Sequence, residues 1–131
     1  MHEPRWVPRI VVDSIHLDQR REHGGLAGVP DENAFEAALA RARQQWSYEP
    51  TSDMASLAAA YAFGLARAHP FSDGNKRTAF VTMMTFLVLN QKELSATEVD
   101  VVQMMVALAG GDVTEAVLAD WIRARLIPLS L

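Results

Sequence analysis

The chain has 131 residues, of which 50% are hydrophobic and 21% are charged, so it is long and apolar enough to bury a core. Its formal net charge of −4 argues against broad binding to nucleic acid or anionic membranes, because an acidic chain repels phosphate on average. The absence of cysteine excludes disulfides, thiolate nucleophiles and cysteine-ligated zinc sites.

The sequence also shows no signal for membrane insertion or for secretion. No apolar run approaches the roughly 20 residues that a membrane span needs. The first residues, MHEPRWVPRI, lack the apolar core of a signal peptide. We therefore expect a soluble cytoplasmic protein, with residues 1–131 forming one domain and with no membrane contact and no direct DNA binding.

Apolar residues recur at helical spacing from the start of the chain. The first predicted helix includes Val11 and ends at Gly24, since glycine commonly terminates helices. The second follows Pro30 and Asp31. Its apolar positions have the spacing of one helix face and are Phe35, Ala38, Leu39, Ala42 and Trp46.

Two central helices follow. The third predicted helix is capped by Ser52 or Asp53 and ends near Ala68, because Pro70 cannot continue a helix. The fourth spans residues 75–89 and is apolar on almost every side. A helix of that kind belongs in the middle of a bundle.

The last part of the chain predicts two more helices. Thr97 caps a fifth helix over residues 98–108, and Asp112 or Thr114 begins the sixth. The residues of the sixth that we expect to face inward are Val117, Leu118, Trp121, Ile122 and Leu126. No segment shows sustained alternation of the β type, so we expect an all-α fold of about six helices.

A polar stretch between the third and fourth predicted helices carries the chemistry. It leads into a helix N-terminus, where free N–H groups and the positive end of the helix dipole favour an anion. Gly74 allows close approach of the backbone to phosphate, and Lys76 and Arg77 add charge in the first turn. Cations are unfavourable at this end of a helix unless an anion compensates them, so the pattern favours a bound polyphosphate.

Two ionisable residues complete the candidate site. Asp73 offers the hard oxygen ligands that Mg²⁺ takes together with substrate phosphates. His69 is the residue of the stretch that ordinarily titrates near neutrality, so it is the natural general base for a hydroxyl. Each of these residues also has an ordinary explanation when taken singly. His69 could be a loop histidine, Asp73 and Gly74 could belong to a turn, and Lys76 and Arg77 could be a solvated pair of cations.

Taken together, the residues match a family signature. The segment HPFSDGNKRTA, residues 69–79, resembles the Fic/Doc motif HPFx(D/E)GNxR, and it is closer to the Doc (death-on-curing) toxin branch than to classical Fic enzymes. The similarity extends over residues 10–126 and includes the helix that leads into the motif. The resemblance implies a compact helical bundle with the active-site loop between two central helices.

The resemblance also implies roles for individual residues. His69 would take the proton from the acceptor hydroxyl, and Asp73 would hold Mg²⁺. Arg67 matches an arginine that serves the Doc site. The remaining residues expected to bind the phosphates of ATP are Ser72, Gly74, Asn75, Lys76 and Arg77.

Departures from the classical Fic motif bear on the reaction. Lys76 replaces its second glycine, and Phe80 occupies the position of its second arginine. Similar Doc proteins pass on the γ-phosphate of ATP, which makes them kinases of elongation factor Tu that block translation. The resemblance therefore implies a toxin kinase. Gly74, where some Doc members have alanine, keeps Fic-type AMP transfer as the alternative.

The expected control comes from a second protein. The inhibitory pattern [S/T]xxxE[G/N] of Fic proteins is missing, since Glu32-Asn33 is preceded at the required distance by Gly28. Doc relatives are held off by an antitoxin whose C-terminal segment folds along a groove of the toxin. We expect such a cognate antitoxin here. A catalytically silent bundle that only binds this partner is the remaining alternative.

Overall fold

The computed structural model describes residues 2–23, 31–68 and 75–130. The elements in this part of the chain are α1 (Arg9–His23), α2 (Glu32–Tyr48), α3 (Met54–Ala68), α4 (Asn75–Leu89), β1 (Lys92–Leu94), α5 (Glu98–Ala109), α6 (Glu115–Arg125) and β2 (Leu126–Pro128). The predicted all-α class is confirmed. Of the described helices, none combines the length and hydrophobicity required to cross a bilayer.

Helix α3 forms the centre of the core. Nearly all its residues between Ala55 and Ala66 are buried, and it packs against α2, α4, α5 and α6. Many of these residues are alanine, and small side chains let neighbouring helices approach closely. At Gly64, an added Cβ would lie 3.2 Å from the backbone oxygen of Ala38 in α2. The contact between α2 and α3 therefore depends on the missing side chain.

Helix α4 is less enclosed than its sequence predicts. One face is buried and includes Met83, Phe86 and Leu87, whereas Val88 on another face is 43% exposed. This helix contacts α3, α1 and α5. The two helices that flank the predicted loop thus pack directly on each other, with α3 as the more buried of the pair.

Capping residues begin the helices where the sequence predicts. Asp31 caps α2, and Asp53, rather than Ser52, accepts a hydrogen bond at 2.9 Å from the backbone N–H three residues on. Thr114, rather than Asp112, caps α6, since its hydroxyl oxygen accepts a hydrogen bond from the Val117 backbone N–H at 3.2 Å. Each cap satisfies an N–H that the helix itself leaves free.

The end of the chain corrects one prediction. Leu126 does not belong to the last helix, because it begins β2, which pairs antiparallel with β1 so that Leu94 opposes Leu126. Pro128 disfavours helical backbone at the residue before it, which is consistent with the extended conformation there. Val117 also points outward, with 50% of its surface exposed.

The segment before α1 contributes to the core, which the sequence did not predict. The ring of Trp6 stacks on Phe86 with centroids 5.9 Å apart and meets Trp46 edge-on at 6.3 Å. The N–H of Val7 donates to the Tyr61 hydroxyl at 3.1 Å. These contacts hold the segment against α2, α3 and α4.

We predict that the pairing of Asp53 with Arg123 makes stability depend on acid pH. Arg123 Nε donates to Asp53 Oδ2 at 2.7 Å, and this hydrogen bond lowers the pKa of Asp53. A carboxyl with a depressed folded pKa stabilises the protein above its unfolded pKa of about 3.9. That contribution is lost as the pH falls through the folded value.

Asp53→Asn tests this prediction, since asparagine keeps the capping oxygen and removes the charge. The variant should be less stable at pH 7 by about 1 kcal/mol or less, because the pair is partly exposed. The difference should shrink as the pH falls below about 4. Urea unfolding at pH 7 and pH 3 measures it, and a difference independent of pH would contradict the prediction.

Candidate functional site

The structure describes half of the predicted site. Arg67 lies in the last turn of α3, and Asn75, Lys76 and Arg77 form the first turn of α4. The other predicted residues fall between these two helices, in segment 69–74, and lie outside the described residues. They are His69, Ser72, Asp73 and Gly74. The two groups of described residues therefore flank the segment on both sides.

The first turn of α4 carries two exposed cations and no acidic residue. Neither Lys76 nor Arg77 forms an ion pair with any residue that the structure describes. The helix dipole already places partial positive charge at this end of α4. The charges of Lys76 and Arg77 are therefore unfavourable there unless an anion lies nearby. The arrangement suits a phosphate group.

A cavity of about 350 Å³ opens beside these cations. Lys76, Arg77 and Phe80 of α4 line one side of it. The other side is apolar and belongs to α5, through Val101, Val102, Met105 and Val106. The cavity thus combines positive charge with an apolar wall, and sequence inspection did not reveal it because α4 and α5 meet only in the folded chain.

Helix α5 also exposes an apolar strip along this side. Val99, Val102 and Val106 are 64%, 54% and 52% exposed. They lie three and four residues apart, so they share one face of the helix. We refer to these three residues as the α5 valine strip. Two of them also line the cavity beside Lys76 and Arg77.

Arg67 is held at the end of α3 by neutral groups. Its Nη1 donates a long hydrogen bond of 3.5 Å to the backbone oxygen of Leu108 at the end of α5. Its Cζ lies 5.8 Å from the centre of the Phe63 ring. No carboxylate of the described residues forms a salt bridge with it. Within the described ranges, the charge of Arg67 is therefore not compensated by a carboxylate.

A second arginine shares the same ring. The Cζ of Arg41 lies 4.9 Å from the Phe63 centroid, and its Nε donates to Glu115 Oε1 at 3.1 Å. Sequence inspection did not group Arg41 and Glu115 with Arg67, since they come from α2 and α6. Only the shared ring brings the two arginines together.

A magnesium site cannot be assembled from the described residues alone. Among them, no group of three or more His, Asp or Glu side chains could hold a metal ion. Any Mg²⁺ at this site would depend on Asp73, which lies in segment 69–74, and on phosphate oxygens.

Comparison with known proteins identifies the family of the chain. The family model described as Fic/DOC family matches residues 6–87, which include α1 to α3, the motif and most of α4. The chain is 30% identical to "Protein kinase doc" of Escherichia phage P1 over 110 residues, 84% of this chain and 86% of that protein. It is 38% identical to "Toxin Doc" of Mycolicibacterium smegmatis (strain ATCC 700084 / mc(2)155) over 74 residues, 56% of this chain and 57% of that protein.

The family model and the phage protein both match a large part of the chain. The family model accounts for more than half of the chain, and the alignment with the phage protein extends over most of both sequences. The predicted family is confirmed: this chain belongs to the Fic/DOC family.

Proposed function

We propose that this protein is a Doc-type toxin kinase, which transfers the γ-phosphate of ATP to a hydroxyl group of another protein. The observation that carries the proposal is the pair of exposed cations, Lys76 and Arg77, at the start of α4 and within the family motif. The names of the two relatives, a protein kinase and a toxin, support a protein-modifying transferase.

The phosphates would bind at the start of α4. The free N–H groups of the first turn and the side chains of Asn75, Lys76 and Arg77 supply donors there. Ser72 and Gly74 precede them directly in the sequence. Arg67, at the end of α3, would add charge from the other side of the segment. Such charge-assisted hydrogen bonds to phosphate are stronger than neutral ones.

His69 would start the transfer by accepting the proton of the acceptor hydroxyl. The hydroxyl oxygen forms a bond to the γ-phosphorus, while the bond from that phosphorus to the β–γ bridging oxygen breaks and ADP leaves. Mg²⁺, held by Asp73 and the phosphates, would neutralise charge on the phosphate oxygens. Lys76 and Arg77 keep the polyphosphate in place throughout.

Phe80 favours transfer of the γ-phosphate over transfer of AMP. It occupies the position of the second arginine of classical Fic motifs. Its ring is partly buried against the core and lines the cavity, so no cation is available from this position. AMP transfer remains the alternative because Gly74 is the Fic-like residue.

The proposed target is a translation factor, elongation factor Tu, whose modification would inhibit translation in the cytoplasm. The whole chain, residues 1–131, would act as one Fic/Doc domain. Packing of α3 against both α5 and α6 supports this unit, since the last two helices complete the core that holds the site.

We further propose that a cognate antitoxin docks its C-terminal segment along the α5 valine strip. A helix binds such a strip through apolar residues at matching spacing. The cations Lys76 and Arg77 line the adjoining cavity, so a segment that also carries carboxylates would suit this surface. An occupant of this kind would cover the start of α4 and thereby block access of ATP.

Transfer of labelled phosphate tests the reaction. We expect label from γ-labelled ATP with Mg²⁺ to reach a protein in a cell extract, and label from α-labelled ATP to remain in nucleotide. His69→Ala should lose at least about 100-fold in rate, because a general base contributes about 10²–10⁴-fold. Its thermal unfolding should stay close to that of the unchanged protein.

The same assay separates the alternatives. Transfer of the α-label would identify an AMP transferase. No transfer of either label would indicate a bundle that only binds its partner. A His69→Ala variant with nearly full activity would contradict the role of the histidine while leaving the transferase itself in place.

Charge reversal at Arg77 tests the phosphate site. We expect Arg77→Glu to weaken ATP binding by more than about tenfold, because it replaces a charge-assisted contact with repulsion. Without nucleotide, the variant should be more stable by about 0.3–1 kcal/mol, since a carboxylate suits a helix N-terminus. Calorimetric titration and thermal unfolding measure the two effects.

Arg5→Glu provides the matched control. Arg5 is exposed, and its backbone N–H bonds to Asn90 just beyond the other end of α4. The substitution changes the net charge equally, but far from the proposed phosphates. It should leave ATP affinity nearly unchanged, and an equal loss in both variants would indicate an effect of overall charge only.

Growth assays test the docking surface. Val99→Asp should leave the toxin active but prevent its neutralisation, because a carboxylate on the strip would repel an acidic segment and disrupt apolar contact. The cells should then stop growing even when the antitoxin is expressed. Val117→Asp is the control, since Val117 is 50% exposed near the start of α6. Neutralisation of both variants would contradict docking along the strip.

A further inference from the structure

Gly111, in the turn between α5 and α6, lies directly against the Arg67 guanidinium. A Cβ added at Gly111 would lie 3.1 Å from Arg67 Nη1 and 3.8 Å from its Cζ. The backbone of Gly111 has φ +85°, in the left-handed region that favours glycine. Both its conformation and this close contact therefore depend on the missing side chain.

We propose that Gly111 is a positioning residue, which sets the place of the Arg67 guanidinium beside segment 69–74. This inference rests on the proposed function, in which Arg67 contacts the nucleotide. Gly111 itself would touch neither ATP nor the acceptor. Its effect would pass through Arg67, whose side chain lies against the Gly111 backbone because no Cβ intervenes.

The other contacts of Arg67 define the same position. The Phe63 ring lies on its own helix, and the Leu108 oxygen belongs to the last turn of α5. The carbonyl end of a helix carries partial negative charge, which attracts a guanidinium. None of these groups is a carboxylate, so they orient Arg67 without neutralising it. In the proposed function, its remaining N–H donors bind phosphate.

Arg41 would disturb this arrangement if its charge were free. Its guanidinium also lies over the Phe63 ring, so the two cations share one ring and repel each other. The ion pair between Arg41 and Glu115 compensates one of the two charges. Gly111 thus bears on Arg67 directly, and Glu115 bears on it only by compensating Arg41.

Gly111→Asn tests the proposal with little backbone strain, because asparagine tolerates left-handed conformations better than other residues with a Cβ. Its Cβ would shift the guanidinium by a few tenths of an ångström. We expect kcat/KM for phosphate transfer to fall several-fold, since a misplacement of about 1 Å costs about 100-fold. Thermal stability should change little.

Gly110→Ala is the matched control in the same turn. Gly110 has φ −78°, and an added Cβ would meet no atom nearer than 3.4 Å. This variant should transfer phosphate at the unchanged rate. If Gly110→Ala loses as much activity as Gly111→Asn, a general effect on the turn replaces positioning as the explanation, and the proposal is wrong.

A double-mutant cycle adds a readout that a merely structural role would not change. In an Arg67→Ala background, Gly111→Asn should cause no further loss of activity, because the group that it displaces is absent. A further loss of the same size as in the unchanged background would overturn the proposal. An Arg67→Ala variant with full activity would overturn it as well, while phosphate transfer by the protein would stand.

An NMR measurement keeps the inference testable if the proposed kinase activity fails. The Arg67 Nε–Hε resonance, assigned through its loss in Arg67→Ala, should move in Gly111→Asn and keep its place in Gly110→Ala. A resonance that stays in place in Gly111→Asn shows that Gly111 does not position Arg67. Absence of phosphate transfer by the unchanged protein instead refutes only the proposed function.

Discussion

Close packing around α3 is the constraint on which the candidate site depends. The helix is rich in alanine and almost wholly buried up to Ala66, and α2 comes so near at Gly64 that a Cβ would crowd the Ala38 backbone. Burial ends just before Arg67, which is exposed. The core therefore fixes the end of α3, and through its contact with α4 it fixes the start of the second helix that bounds the motif.

The described cations that join elements of the bundle differ in their partners from those around segment 69–74. Arg41 pairs with Glu115, and Arg123 pairs with Asp53, so these arginines join separate elements of the bundle. Arg67, Lys76 and Arg77, on both sides of segment 69–74, form no salt bridge with any residue in the described ranges. For Lys76 and Arg77 this has an electrostatic cost, because they lie at a helix N-terminus, and a bound anion would offset it.

Helices α5 and α6 connect this site to the rest of the molecule. They lie beyond the match to the family model, which ends at residue 87. Even so, α5 supplies the apolar wall of the cavity and the carbonyl that holds Arg67. The turn after it contains Gly111, and α6 contributes Glu115. The last part of the chain thus shapes the surroundings of a motif that precedes it in the sequence.

The sequence by itself determined the helices, most of their caps and the family, because these depend on local signals such as apolar spacing, Asp31 or the motif at residues 69–79. The tertiary structure decided the pairing of Leu126 in a strand, the packing of Trp6 into the core and the contact of Arg67 with Gly111. Residues far apart in the chain make these contacts, which depend on how the helices pack. Local spacing carries no information about which distant groups will meet, so only the folded chain could reveal them.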